Sequence, residues 1–223
     1  SRVMDRHRRF FTYLADFVGR GNEVYVVRGN HDAEFFWTQV HQAFRDRLTH
    51  IYFGDEVVEG ESPQEFQARI RFHPWFYYEP GVIWLEHGHQ HDPYCSLEHL
   101  LYPVLPWNRD LMEWPTVSLA IRYAVNRIEG LTTHDKDDWT FLDYLRWAMD
   151  ARTRRIHVLV RIYGELVRVF LNYYLRYRGA DARPIRDVHV QVRRTLADEA
   201  GLTDDVLAKL ESMHARPRHL TFE

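Results

Sequence analysis

Between Val3 and Val18 the apolar residues Phe10, Phe11, Leu14, Phe17 and Val18 recur at the spacing of one helical face. Gly19 and Gly21 follow directly, and glycine is the usual stop just past a helix. The period then changes. Val24–Val27 is an unbroken β-branched and aromatic run, the pattern of a buried strand, and a helix is predicted from about Phe35 to Leu48. Ile51–Val58 and Gln67–Tyr78 read as strands, the second alternating through Ala68, Ile70 and Phe72 until Pro74 breaks it. Glu79-Pro80-Gly81 is a turn signal, and Val82–Glu86 is a second short buried strand.

After Pro93 the strand-like runs give way to helical ones, at about 97–103, 116–129, 139–150, 153–178, 184–200 and 203–214. The pattern predicts an α/β core over 1–93, a helical insertion over 94–215, and a return toward the core over 216–223. In the run from Thr153 to Gly179, Arg161, Glu165, Arg168, Asn172 and Arg176 are spaced by four, three, four and four, a narrow polar stripe on an otherwise apolar helix. A bilayer-spanning role is not expected, because each arginine at mid-membrane costs roughly 2.5–3.5 kcal/mol on insertion scales. Three readings stay open: the core of a helical subdomain, a homodimer interface, or a membrane-surface element whose flanking Arg154, Arg155, Arg176 and Arg178 meet anionic headgroups. The aromatic residues around 75–84, 102–114 and 139–147 read first as core and second as the lining of a lipid pocket.

Composition changes this picture in three places. A net charge of -3 gives no electrostatic reason to expect nucleic acid as a partner. Cys95 is the single cysteine, so no internal disulfide framework exists, and residues 1–9 lack the apolar run of a secretory leader. Both predict a cytoplasmic protein, with peripheral contact at the inner membrane face if 153–178 is a surface element. Fourteen histidines raise the prior for metal ligation.

The chemistry concentrates where the two short strands end. Val24–Val27 runs into Arg28-Gly29-Asn30-His31-Asp32, and ligands in open α/β sheets collect at the carboxyl ends of strands. Gly29 permits close backbone approach, Asn30 offers an amide oxygen to a cation, and His31 can protonate a leaving oxygen while Asp32 holds its imidazole. The competing reading is a polar turn closed by a side-chain hydrogen bond. Val82–Glu86 ends on His87-Gly88, with His89, His91 and Asp92 just beyond. Two strands, each ending on a metal-competent residue beside a glycine, suit a site built along one sheet edge. Arg28 is read either as a phosphate contact or as a surface arginine.

These motifs resemble the calcineurin-like metallophosphoesterase superfamily, whose blocks in chain order are D-x-H, G-D-x-x-D, G-N-H-[DE], a histidine closing a later strand, and G-H-x-H. Residues 29–32 match the third block and His87 the fourth. The stretch from Phe72 through Gly81 to Pro93 is similar to a bacterial branch that includes the UDP-diacylglucosamine hydrolases. The resemblance spans about residues 10–93. It implies a two-sheet αββα sandwich with a helical insertion, and two divalent metal ions of manganese, iron or zinc type. It implies Asn30 and His87 as metal ligands, His31 and Asp32 as catalytic residues, and Arg28 and His89 as substrate contacts. The substrate implied is a phosphorylated small molecule or lipid-linked phosphate, hydrolysed at a phosphoester or pyrophosphate bond. Asp5-Arg6-His7 spells D-x-H inside a helical pattern, not at a strand end, and no G-D-x-x-D precedes residue 29. Gly88-His89-Gln90-His91 spells G-H-x-H but overlaps the fourth block. The reading is therefore of an internal fragment whose remaining blocks lie outside it. The alternative is a degenerate, non-catalytic relative that binds a membrane surface or a protein.

Overall fold

The helical face between Val3 and Val18 forms two helices, α1 (Arg2–Arg6) and α2 (Arg8–Gly19), in a computed structural model that describes residues 2–54, 60, 62–125 and 156–217. Ala15 and Val18 are buried and Phe11 and Leu14 pack beside them, whereas Phe10, Tyr13 and Phe17 point outward. The apolar face is thus rotated from the one the spacing predicts. Gly19 is the last residue of α2 and also a packing notch: a Cβ there would lie 2.1 Å from the Tyr52 ring. The stop comes at Gly21, whose φ of +87° favours glycine.

β1 (Val24–Val27) follows, then a 3-10 turn (Ala33–Phe36) and α3 (Thr38–Phe53). Helix α3 continues through Ile51–Phe53, where a strand is predicted; Leu48 and Phe53 are buried on one face, so tertiary packing sustains the helical period. The rest of that predicted strand, 55–58, lies outside the described residues. The predicted strand at Gln67 also starts too early. α4 (Pro63–Ala68) occupies its beginning, opened by a reciprocal cap in which Ser62 Oγ accepts from Glu65 N and Glu65 Oε2 accepts from Ser62 N.

The remainder of that run is β2 (Ile70–His73) and β3 (Phe76–Glu79), separated at Pro74-Trp75, and β4 (Ile83–Glu86) comes next. β1 pairs with β2 in parallel, Val24 opposite Ile70 and Val27 opposite His73. β3 and β4 are antiparallel, with Phe76 opposite Glu86. Trp84 stacks on Phe76 at 4.0 Å, but Ile83 and Leu85 are 40% and 49% exposed, so β4 is half-covered and not the buried strand predicted. The core joins α2, α3, α4 and β2 through Val18, Leu48, Phe66 and Ile70. Phe72 extends it: the His41 ring lies flat on Phe72 at 4.0 Å and 4°, and the Arg45 guanidinium is 5.0 Å from the same ring.

The chain is mixed α/β and divides into two units, residues 1–88 and 89–223. In the second unit the predicted helix at 97–103 is a series of turns burying Leu97, Leu100 and Leu101. It leads into a hairpin, β5 (Val104–Leu105) and β6 (Asn108–Met112), that the helical reading of 94–215 did not include. Pro103 and Pro106 bracket β5, and proline cannot continue a helix interior. α5 (Thr116–Ala120) passes into a π-helical turn (Ile121–Val125); 126–129 and the predicted helix 139–150 lie outside the described residues. α6 (Ile156–Gly179), α7 (Arg183–Glu199) and α8 (Asp204–Glu211) follow.

α6 packs Tyr173, Val169, Phe170 and Tyr177 against Leu105, Trp107, Trp114 and Leu119. α7 and α8 are tied by Arg193, which donates to Asp204 and Glu211, and by buried His189, which shares a short hydrogen bond with Glu211. The other His189 nitrogen, Nδ1, accepts from Leu101 N at 3.2 Å. Among the described residues no helix is long and apolar enough to cross a membrane. Of the predicted return over 216–223, residues 218–223 lie outside the described residues.

Candidate functional site

The sheet register sets the site. β1 and β2 run parallel and end together at Val27 and His73, and Arg28 N donates to His73 O at 3.0 Å, extending the ladder by one bond. β3 starts three residues after β2 ends, and its first residue, Phe76, faces the last residue of β4, Glu86. The finish of β4 is thereby brought to the same end of the first unit as the finish of β1. Trp75, buried between them in sequence, donates from Nε1 to Glu86 Oε2 at 3.0 Å and fixes that strand end.

The consequence is direct contact between the two sequence motifs. A Cβ on Gly29 would lie 2.6 Å from His87 Cδ2, 2.7 Å from His87 Nε2 and 3.0 Å from Asp32 Oδ1. Only glycine leaves room for the imidazole there. Gly29 N donates to Asp32 Oδ1 at 2.6 Å, which closes the loop on itself. Among the described residues Asp32 makes no hydrogen bond to His31, so its carboxylate fastens the turn in place of the orienting role predicted for it. The reason is the buried Gly29 amide, which needs an acceptor.

Around this contact the residues differ sharply in exposure. Arg28 and Asn30 are buried at 2% and 6% exposure, while His31 and His87 are exposed and Asp32 is half-buried. Burial pushes the Arg28 guanidinium down to about 10, with the Asp32 charge opposing that shift, so Arg28 is still a cation at neutral pH. Its guanidinium carbon lies 5.8 Å from the Phe36 ring. Arg28 is therefore not the surface arginine of one reading. It is a positive charge set into the wall beside the loop.

His89 belongs to the second unit and is buried. Its Nε2 is 3.0 Å from the Gln90 amide, which, with Oε1 turned toward it, also accepts from Leu97 N at 3.3 Å and donates to Leu97 O at 3.2 Å. His91 and His214, in the same unit, place their rings 5.4 Å apart, edge to face. The structure thus brings together Arg28, Gly29, Asn30, Asp32 and His87 and leaves His31 exposed on the same loop, while His89, in the second unit, hydrogen-bonds to Gln90. Sequence reasoning missed Trp75 and Phe36 as supports of the site. Trp75 follows Pro74 at a strand break, a signal that could have marked it.

The donor set allows a test of the implied cofactor. Asn30 supplies an amide oxygen and His87 an imidazole nitrogen, types that suit a divalent ion of manganese, iron or zinc class. The space left by the missing Cβ of Gly29 accommodates the imidazole of His87 beside the loop that carries Asn30. A separate cavity of about 640 Å³ in the first unit is lined mainly by apolar residues, among them Met4, Phe11, Phe35 and Phe44, with Asp46, Arg47 and His50 on its wall. Comparison of the chain with family models, with curated proteins and with solved structures returns no match.

Proposed function

We propose that the loop at Gly29–Asp32 and His87 form part of a metal-dependent site that hydrolyses phosphoester or pyrophosphate bonds, in a fold of the two-sheet metallophosphoesterase type. The observation that carries this reading is the packing of the His87 ring against Gly29, which joins two motifs separated by more than fifty residues. Two divalent cations would supply water activation and charge neutralisation at the phosphoryl group. Asn30 and His87 would hold one of them, and ligands outside the described contact set would complete its coordination.

The chain's own residues account for the rest. His31, exposed at the loop tip, contacts the phosphoryl group and donates a proton to the leaving oxygen. Asp32, bonded to Gly29 N, keeps closed the loop that carries the buried Asn30. Arg28 adds fixed positive charge beside the loop without leaving its buried position. The substrate class that suits this set is a phosphorylated small molecule or a lipid-linked phosphate.

The test uses the full-length protein with a phosphodiester and a phosphomonoester chromogenic substrate, metal content being measured in parallel. His31→Ala lowers turnover by about 10²–10⁴ with metal content retained, whereas Asn30→Ala lowers both. Equal loss of metal and turnover in His31→Ala would make His31 a ligand. Wild-type protein that takes up no metal and hydrolyses neither substrate would favour the non-catalytic alternative and end the proposal.

A further inference from the structure

Of the five residues of the polar stripe on α6, two are paired with each other: Arg161 Nε lies 4.0 Å from Glu165 Oε1. The other three, Arg168, Asn172 and Arg176, line one cavity of about 450 Å³ together with Trp107, Val169 and Tyr173. They make no hydrogen bond or ion pair among the described residues. Spacing of four residues sets consecutive members about 6 Å apart along the axis, so the two arginines bracket Asn172 over about 12 Å. The opposite wall is the β5–β6 turn, where Trp107 meets Tyr173 edge to face at 5.4 Å.

Two guanidiniums, one amide and an indole around a single cavity have a definite chemical complement. Guanidinium forks match phosphate oxygens, the amide can donate or accept between them, and an indole offers an apolar surface to a planar group. An extended anion such as pyrophosphate can engage both arginines and Asn172 at once. We infer that this cavity of the second unit is a binding site for a pyrophosphate-bearing small molecule, with its organic part against Trp107. The inference is independent of the proposed hydrolytic site, since every residue it uses lies in the second unit.

The test is calorimetric titration of metal-free, full-length protein with inorganic pyrophosphate and with ADP. Both bind saturably. Arg168→Gln and Arg176→Gln each weaken binding about tenfold or more, and Trp107→Leu weakens ADP more than pyrophosphate. Arg161→Gln, which makes the same charge change outside the cavity, leaves both unchanged. Circular dichroism of each variant confirms that the helix is intact. Equal weakening by Arg161→Gln would reduce the effect to diffuse charge and overturn the assignment. Binding abolished by His87→Ala but untouched by the α6 variants would move the ligand to the first unit. Sedimentation with phosphatidic-acid vesicles, without binding of either soluble anion, would replace the small-molecule site by a membrane surface.

Discussion

At the scale of single residues, the contact between Gly29 and His87 carries the most information. A methyl group at position 29 cannot coexist with the imidazole where it stands, because 2.6 Å and 2.7 Å are far inside van der Waals contact. The His87 side chain is exposed, so the fold tolerates the change better than the site does. Gly29→Ala is expected to cost about 1–3 kcal/mol of stability at most, the range for overpacking. The proposed hydrolytic activity should fall about 10²-fold, the penalty for misplacing one group by about 1 Å. Parallel thermal melts and kcat/KM values check this, and unchanged kcat/KM would detach His87 from the chemistry.

Elements show what could be read from the sequence and what could not. β1 and its loop were legible because a short run of Val-Tyr-Val-Val has no competing helical period. Ile51–Phe53 was not, since three apolar residues fit either period and the packing of Leu48 and Phe53 decides for helix. At Ser62-Pro63-Gln64-Glu65 the cap was written in the sequence, with Ser and Glu three apart and Pro at the first helical position, but the alternation after Gln67 obscured it. The β5–β6 hairpin depends on Trp107 and Leu105 meeting α6 more than fifty residues later, which no local window contains. The motif pair was legible residue by residue, as was a turn closed by a side-chain hydrogen bond; that Asp32 supplies that bond and that Trp75 supports the end of β4 needed the structure. Ser62→Ala removes one half of the reciprocal cap on α4 and should lower stability by about 1 kcal/mol, with Glu65→Ala giving no further additive loss. Denaturant titration of the two single variants and the double variant separates coupling from independent effects.

For the whole molecule, the strongest pH dependence should come from the second unit. Burial raises the Glu211 carboxyl, but hydrogen bonds from His189 and Arg193 outweigh it and hold the group down to about 2. A carboxyl depressed in the folded state adds stability that is complete above its unfolded value of 4.5 and is lost as pH falls toward 2. Thermal melts should therefore fall between about pH 4.5 and pH 2, and Glu211→Gln should flatten that slope while lowering stability at neutral pH. A variant that keeps the full acid slope would assign it to other carboxylates, such as Asp204, which is also lowered by Arg193. Because α7, α8 and the Leu101 turn share this network, acid should loosen them together.

The His41 imidazole stacked on Phe72 has a use beyond packing. Its protons sit in the shielding cone of the phenyl ring, which separates its resonances from those of the solvent-exposed histidines in an NMR spectrum. The same imidazole is held below its ordinary pKa, first by burial and also by the nearby charges of Arg45 and Arg28. It therefore reads out, without any introduced label, the charge state around Arg28 and Arg45.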